Sequence, residues 1–400
     1  MKVLVSGASI AGPVLAYWLN HHGFEVTVVE RAPRPRTAGG HAVDLFRPAM
    51  DISERMGVLA RIEAASTGMT RMSVLREGTA KPVTVDLTKI FSATSDRHVE
   101  IMRGDLSAIY RDATSADVEY VFGDSITGID DRTVTFERGA PRRFDVVVGA
   151  DGLHSNVRRL VFGEGFETYI GAYLAVLTLP AEARLGAEYV VHLGPGRMAG
   201  VHSARHLDDA RAVFLFRRDR PLDYHYRDVP RQKELLRAAF AGMHPQVDSY
   251  LAELDRAEAF YFDSITQLRM DTWSRGRVTL VGDAGYCPGP AVGGSTSLAV
   301  LGAYVLAGEL AAADGDHERA FAAYERELAD IVLRSRAFAL GAAKSLIPSS
   351  RLGVWGLTQG ARLISALPAG VSRAVAKLNA KGVRLHDSMP VKDYRAPVTR

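Results

Sequence analysis

The sequence predicts an α/β fold organised around a parallel sheet. Three apolar segments each run into a glycine-containing turn and then into a helical segment, with turns at residues 7–12, 149–155 and 282–294. Apolar strands that alternate with helices are typical of parallel sheets covered on both faces. The stretch between the second and third turns contains several strand-like segments, which predicts an inserted antiparallel sheet.

The first thirty residues predict the core of this fold. Residues 3–6 are an apolar strand, residues 13–22 indicate a helix, and Gly23 stands where a helix end requires a positive φ. A second strand covers residues 25–29 and closes with Glu30. In such a βαβ unit the helix N-terminus binds a pyrophosphate, and the acid takes a ribose hydroxyl. We therefore expect a Rossmann-like dinucleotide-binding domain.

The first turn departs from the dinucleotide pattern at one position. The pattern is G-x-G-x-x-G, and residues 7–12 are GASIAG, with serine at the middle glycine. Serine is small and can donate a hydrogen bond, so nucleotide binding remains the prediction. The alternatives are a turn that serves packing alone and a signal peptide, and the glycines and Pro13 argue against the peptide. The residues expected beside the phosphates are Gly7, Ser9, Ile10, Ala11 and Gly12.

Composition limits the classes of function. The 400 residues are 47% hydrophobic and 24% charged, with a net charge of +3 and no block of like charges, so no nucleic-acid surface is indicated. The single cysteine excludes an intrachain disulfide and a multi-cysteine metal site, and suits a reducing cytoplasm. No metal site is expected, and no apolar run indicates an integral membrane segment.

Further elements follow in order. Residues 31–48 form a Pro-, Gly- and Arg-rich loop whose Arg31 could meet a phosphate or ribose. An amphipathic helix is expected over residues 49–65, strands over 71–87 and 98–102, and a helix over 106–114, after Arg103. A small meander precedes the core strand 144–148, which leads into Asp151-Gly152 and a helix capped by Ser155.

Residues 166–269 predict the inserted sheet, with four or five antiparallel strands and two helices. Its apolar strands favour a site for a sizeable hydrophobic molecule. The polar residues His192, Arg197 and His202 are candidates for contact with that molecule, the alternative being a solvated face. The third junction follows, with a strand over 277–281, its turn, and a long Ala- and Leu-rich helix to about residue 313.

The three turns, GASIAG, GADG and GDAG in this order and spacing, resemble those of the class A flavoprotein monooxygenases. This is the family of para-hydroxybenzoate hydroxylase, the aromatic polyketide hydroxylases and the tetracycline-inactivating monooxygenases. The resemblance covers about residues 1–335 and implies a glutathione-reductase type FAD-binding domain. It implies that the first turn holds the FAD pyrophosphate, Glu30 the adenosine ribose, and Asp283 the ribityl chain. The other residues implied to bind cofactor are Arg31, Arg103, Asp151, Gly152, Arg158, Gly282, Pro288, Gly293 and Gly294.

The sequence departs from the family beside the flavin ring. The family usually has Ala-His after Gly-Asp-Ala, and Gly285-Tyr286 stand there instead. Tyr286 is therefore a candidate for substrate contact, the alternative being that it packs beneath the flavin.

The resemblance implies a hydroxylase in which no side chain acts as the catalyst. NAD(P)H reduces FAD, oxygen adds to the flavin, and the hydroperoxide transfers one oxygen atom to a hydrophobic, aromatic or polyketide-like small molecule. Two alternatives remain, a reductase of the same fold that uses no oxygen and a non-catalytic FAD- and ligand-binding protein. A halogenase is disfavoured because the W-x-W-x-I-P motif is absent.

Three segments are expected to form the FAD-binding domain, at residues 1–70, 98–165 and 270–335. The substrate-binding domain is expected at 71–97 and 166–269, and C-terminal helices and a tail at 336–400. A cytoplasmic monomer or homodimer is expected, with O2 and the substrate as its partners.

Overall fold

The computed structural model describes residues 1–35, 40–88, 97–114, 116–290, 294–366, 385 and 387–394. The strands, in chain order, are β1 (Lys2–Ser6), β2 (Glu25–Glu30), β3 (Ala42–Phe46), β4 (Arg71–Arg76), β5 (Val83–Asp86), β6 (His98–Met102), β7 (Glu119–Phe122), β8 (Ile126–Asp130), β9 (Thr133–Phe136), β10 (Arg142–Arg143), β11 (Val146–Gly149), β12 (Glu167–Leu179), β13 (Glu188–Gly194), β14 (Arg197–His202), β15 (Ala210–Arg217), β16 (Phe260–Leu268), β17 (Ser274–Arg275) and β18 (Val278–Leu280).

The α-helices of the described residues follow the same order. They are α1 (Ala11–His21), α2 (Arg47–Arg55), α3 (Leu59–Ala64), α4 (Arg103–Asp112), α5 (Asn156–Val161), α6 (Val229–Phe240), α7 (Pro245–Ala252), α8 (Asp283–Tyr286), α9 (Ser295–Ala312), α10 (His317–Leu346) and α11 (Arg351–Ala366).

A six-stranded sheet contains the three glycine junctions. Its strand order is β17-β18-β11-β1-β2-β7, and all neighbours are parallel except β17 and β18. Val3, Leu4 and Val5 of β1 have no accessible surface, because helices cover both faces of the sheet. The three junctions therefore meet at one edge, where the carboxyl ends of parallel strands lie together.

The second sheet has seven strands in the order β16-β12-β15-β14-β13-β4-β5. Five of them, β12 to β16, lie within residues 166–269, in agreement with the four or five strands expected there, and β4 and β5 come from residues 71–97. All neighbours are antiparallel except β13 and β4, which run parallel. Residues 71–97 were expected in this domain, but the parallel pairing of β4 with β13 was not predicted, because it joins segments that are far apart in the sequence.

Most element boundaries agree with the sequence, with one clear exception. The helix expected over residues 49–65 is two helices, α2 and α3, separated at Gly57, which has a φ of 74°. Glycine adopts this left-handed conformation without a Cβ penalty, so the chain turns there. The C-cap expected at Gly23 is confirmed by its φ of 83°.

One helix tests the expectation that the chain has no membrane segment. Within the described residues, α9 is long and apolar enough to span a membrane by length and composition, with a mean hydropathy of 1.4. However, 78% of it is buried inside the protein, where it packs against α1, α2 and α10. Buried core helices of soluble proteins pass the same test.

The C-terminal segment returns to α9. Glu309 of α9 accepts hydrogen bonds from Lys392 Nζ and from the Tyr394 hydroxyl, both at 2.6 Å. The Tyr394 ring packs over Gly308, where a Cβ would overlap the ring. Residues 389–394 are therefore fastened to the six-stranded unit.

Candidate functional site: three glycine junctions and the cleft beside them

The first junction leaves a helix N-terminus without a side-chain cap. Gly7 has a φ of 111°, and its N–H donates to the carbonyl of Val29 at 2.8 Å. A Cβ on Gly12 would overlap the Gly7 carbonyl oxygen, so the turn requires glycine there. Ile10 is the N-cap residue of α1, and no side chain caps this end. Uncapped N–H groups and the helix dipole make the turn suitable for a phosphate.

Glu30 and Arg103 flank this turn. Glu30 accepts hydrogen bonds from the N–H groups of Ala8 and Ala32, both at 2.9 Å. Each carboxylate oxygen has a second lone-pair direction, so a ribose hydroxyl can still be accepted. The Arg103 guanidinium donates to Ser9 Oγ at 3.2 Å, which places a positive charge at the turn. Ser9, at the middle-glycine position, thus accepts a hydrogen bond that holds the Arg103 side chain at the turn.

Ser107 of α4 supports the same turn and was missed by the sequence analysis. Its hydroxyl lies 3.0 Å from the Ser9 carbonyl and 3.3 Å from the Ala8 carbonyl. The only sequence signal was its position one helical turn after Arg103, which places both side chains on one face of α4.

The second junction is organised by Asp151. Its carboxylate accepts hydrogen bonds from the N–H groups of Asn156 and Val157, at 2.9 and 3.1 Å. Burial raises the pKa of Asp151, while these bonds and Ser155 lower it. Ser155 also caps α5 as predicted, accepting from the Arg158 N–H at 3.0 Å. Gly152 has a φ of 80°, which the turn requires.

The Arg158 guanidinium makes its contacts with other groups of the protein. Its guanidinium donates to the carbonyls of Ala284 and Leu153, at 3.0 and 2.7 Å, and to Glu167 at 2.7 Å. The side chain is 4% exposed. We withdraw it as a cofactor ligand, because its guanidinium already joins the second junction to the third junction and to β12. Arg31 is exposed and borders a surface cavity near α5.

The third junction places the carboxylate of Asp283 in the interior of the protein. Asp283 begins α8 after Gly282, which has a φ of 66° and packs closely on Ala11 and Ala299. Burial raises the pKa of Asp283, and a hydrogen bond with Cys287 and the charge of Arg103 lower it. No ion pair of Asp283 occurs among the described residues.

The turn after α8 is described only in part. Pro288 is buried, and its carbonyl accepts from Gln267 Nε2 at 2.9 Å. Gly294 is the N-cap residue of α9 with a φ of 82°. Gly293 lies outside the described residues.

Tyr286 lies in the core of the six-stranded unit. It is 1% exposed, its hydroxyl is 3.0 Å from that of Tyr324, and its ring packs edge-on against Trp273. Burial raises its pKa to about 12. We therefore withdraw Tyr286 as a substrate contact, because the side chain has no surface left to offer.

The two faces of the seven-stranded sheet differ. His192 is opposite Ala199 in the register and stacks on His244, at a ring distance of 4.3 Å, on the face covered by α6 and α7. Arg197 lies on the same face and donates to the Ala239 carbonyl and to Glu77, at 3.0 and 2.9 Å. Both are withdrawn as substrate contacts, because that face packs on the two helices.

His202 lies on the opposite face, which we call the cleft face. It pairs with Arg211 in the register and meets the Tyr189 ring edge-on at 5.4 Å. Burial and the charges of Arg211 and His41 lower the pKa of His202 to about 4, so the imidazole is neutral at pH 7. His202 remains a candidate for substrate contact because of its position on this face, although only 3% of the residue is exposed.

The cleft face is opposite the carboxyl edge of the six-stranded sheet. The Arg103 charge acts on His41, Tyr261 and Asp283, and each of these side chains lies deep in the protein yet retains accessible surface. We call the space that these four residues border the central cleft. Arg103 and Asp283 were predicted from the sequence as cofactor residues, whereas His41 and Tyr261 were not.

These residues fit FAD. A deep carboxylate with no ion partner in the described chain requires hydrogen-bond donors, and the ribityl hydroxyls of FAD are such donors. The uncapped helix, Arg103 and Glu30 provide for the diphosphate and ribose at the other end of the cleft. The chemistry of the cleft therefore agrees with what the three turns predicted.

Comparison with known proteins gives the same result. The family model "FAD binding domain" matches residues 1–336. An uncharacterised protein of Mycobacterium tuberculosis is 45% identical over 341 residues, covering 84% of this chain and 91% of that protein. A flavin-dependent monooxygenase of Legionella longbeachae is 36% identical over 353 residues, covering 87% and 90%.

A solved structure is similar over nearly the whole length. The crystal structure of the tetracycline destructase Tet(55) aligns with a TM-score of 0.83 and 32% identity, covering 98% of each chain. The α/β fold with its helical C-terminal region, predicted from the sequence, is confirmed. The chain belongs to the FAD binding domain family and is an FAD-dependent monooxygenase with FAD and NAD(P)H as its cofactors.

Proposed function

We propose that the enzyme hydroxylates a planar, hydrophobic substrate of the aromatic or polyketide type, bound between the central cleft and the cleft face. The observation that carries the proposal is the chemistry of that face. Among its residues that keep accessible surface, Met72, Tyr189, Met198 and Tyr261 are apolar or aromatic, and the charged residues Arg76 and Arg217 stand at the ends of their strands. Binding sites of this kind use apolar contacts for affinity and a few polar groups for orientation.

The polar groups at this site are few and favour a neutral molecule. His202 is uncharged at pH 7, and Glu100, which acts electrostatically on Tyr189, has its pKa raised to about 7 by burial and the Asp44 charge. Thr67 donates to Glu100 at 2.6 Å. A small anionic acid would place a second negative charge beside this carboxylate, which is unfavourable in a buried site.

We assign the cofactor residues as follows. The turn at residues 7–12 and Arg103 bind the diphosphate of FAD, Glu30 the adenosine ribose, and Asp283 the ribityl chain. Gly282, Pro288 and Gly294 shape the backbone along the flavin. FAD supplies the electron transfer from NAD(P)H to oxygen. The protein binds and orients the two molecules and excludes water.

We also propose that the two sheets belong to two domains with separate functions. Residues 1–70, 98–165 and 270–335 bind FAD, residues 71–97 and 166–269 bind substrate, and the described part of residues 336–400 packs against them. The buried free thiol of Cys287 supports a cytoplasmic location. A monomer or homodimer remains the expected assembly.

The test is a screen of compounds that accelerate NAD(P)H oxidation by the FAD-loaded protein. Tetracycline is the first compound, because Tet(55) is a tetracycline destructase, and para-hydroxybenzoate is the small anionic control. A polycyclic compound should be consumed together with oxygen and yield a product heavier by one oxygen atom. Preference for the small acid would refute the substrate class, and NAD(P)H oxidation without oxygen uptake would favour the reductase alternative.

A further inference from the structure

His154 connects the second junction with solvent. It follows Gly152 and Leu153, and its side chain is 44% exposed. It borders a cavity of about 610 Å³ and stacks on Tyr226, with ring centroids 4.6 Å apart and an interplanar angle of 10°. Its Nε2 lies 2.7 Å from Oδ2 of Asp263.

Asp263 is a buried carboxylate on edge strand β16. Its side chain is 6% exposed, its Oδ1 accepts from the Ser264 N–H at 2.9 Å, and its Oδ2 is the atom that meets His154. A buried charge is costly unless it is hydrogen-bonded, so this carboxylate depends on His154. The assignment of FAD-binding residues gives Asp263 no role.

Tyr261 extends the contact to the central cleft. It lies two residues before Asp263 on the same face of β16, and its hydroxyl is 3.5 Å from Asp263 Oδ2. This distance is longer than an ordinary O–H···O bond. Such contacts commonly shorten when the active site is filled. Tyr261 also faces Arg103 and Asp283 across the cleft, so the three side chains span from the cleft to the outer cavity.

We propose that Tyr261, Asp263 and His154 form a proton relay between the central cleft and solvent. The proposal rests on the monooxygenase function, whose balance is RH + O2 + NAD(P)H + H⁺ → ROH + H2O + NAD(P)⁺. Each turnover consumes one proton, which must reach the cleft from solvent.

The relay conserves atoms and charge. His154 takes a proton at Nδ1 and passes its Nε2 proton to Asp263, which protonates the Tyr261 oxygen while the Tyr261 hydroxyl proton enters the cleft. No bond between heavy atoms changes, and the net result is one proton moved inward. Imidazole suits the outer position because one ring nitrogen can take up a proton while the other releases one.

Other ionisable groups surround the relay. Tyr224 and Tyr173 face Asp263, and the pKa of each is raised by burial first and by the Asp263 charge in addition. Arg227 lies over the Tyr226 ring, 5.2 Å from its centroid, beside His154. Arg103, Asp283 and Cys287 face Tyr261. None of these groups joins His154 to the cleft, so the relay has one path among the described residues.

The test uses H154Q, D263N and Y261F in the FAD-loaded full chain, with H206Q as the matched control. His206 forms a similar pair with Asp105, at 2.8 Å, but without a tyrosine behind it. Each relay variant should slow turnover with the screened substrate about a hundredfold, the scale of positioned proton transfer, and should raise the solvent deuterium isotope effect. Added imidazole should restore H154A. FAD affinity and circular dichroism should match the wild type, and H206Q should be normal throughout.

A second readout needs no turnover. In protein labelled with 15N at histidine and loaded with FAD, D263N and Y261F should both shift the Nε2 signal of His154, because all three side chains are coupled. H206Q should leave that signal in place. An unchanged His154 signal in Y261F, or wild-type turnover in H154Q, would overturn the relay. A wild-type protein that oxidises no NAD(P)H would instead refute the monooxygenase assignment, so the two failures are distinct.

Discussion

Replacing Asp283 with alanine should weaken FAD binding without unfolding the chain. Asp283 lies deep beside the central cleft, forms no ion pair in the described chain, and has its pKa raised by burial. Hydrogen bonds to a charged group contribute about 1.5–3 kcal/mol each. Loss of one such ribityl contact should therefore raise the FAD dissociation constant roughly tenfold to a hundredfold.

In the absence of FAD, by contrast, D283A should not lower the free energy of unfolding. A carboxyl whose pKa is higher in the folded chain than in the unfolded chain destabilises the fold at neutral pH, and this penalty disappears as the pH falls and the group is protonated. D283A should therefore be at least as stable as the wild type at pH 7 without FAD. At acidic pH, where Asp283 is protonated in both states, this advantage should vanish.

The assay is titration with FAD, followed by flavin fluorescence, with thermal unfolding by circular dichroism. D228A is the matched control, because Asp228 accepts from the Arg231 N–H at 3.1 Å to cap α6, on the far side of the seven-stranded sheet. It should lose about 1 kcal/mol of stability and bind FAD normally. Equal FAD affinity in D283A and the wild type would remove Asp283 from the cofactor site.

Three further predictions follow from named contacts. R103A should weaken FAD binding, because Ser9 holds the Arg103 side chain at the first turn. R34A should leave FAD binding unchanged. Equal losses of FAD affinity in the two variants would mean that the loop at Arg34 binds the cofactor. Y286F should lose about 1 kcal/mol of stability in urea unfolding and leave the substrate KM unchanged, and a raised KM would restore Tyr286 to the substrate site. E100Q should raise Tm more at pH 8 than at pH 4, because the destabilisation by Glu100 begins at the ordinary carboxyl pKa and grows until its own raised pKa of about 7; equal shifts at both pH values would contradict that pKa.

The sequence predicted local features of the fold well because they depend on neighbouring residues. The βαβ unit, the positive φ at Gly23 and the Ser155 cap are all confirmed. The Gly23 and Ser155 features depend on residues within one turn, and the βαβ unit is contained in thirty consecutive residues. The break at Gly57 was missed because the apolar pattern of α2 continues in phase through the glycine into α3.

The side of the sheet on which a residue lies could not be predicted. His192 and His202 are on adjacent strands, and a shift of the register by one residue would exchange their faces. The register, with His192 opposite Ala199, is fixed by packing against α6 and α7. Asp263 is a lone acidic residue in the apolar run of β16, which is a sequence signal that the prediction did not use. Its partner His154 is 109 residues away, beyond the reach of pattern analysis.

The departures from the family pattern at Gly285 and Tyr286 belong together, because both residues pack against Trp273. A Cβ on Gly285 would lie 3.2 Å from the Cβ of Trp273, and a Cβ on Gly302 of α9 would overlap the Tyr286 hydroxyl. The tyrosine therefore requires glycine at position 302, while the glycine at 285 lets Trp273 approach and pack on the Tyr286 ring. Because these contacts lie behind the turn and not in the central cleft, the change leaves Asp283 free to meet the cofactor. The residues that distinguish this chain from the family thus act on the packing of the third junction, whereas we propose that the cleft face determines which substrate is bound.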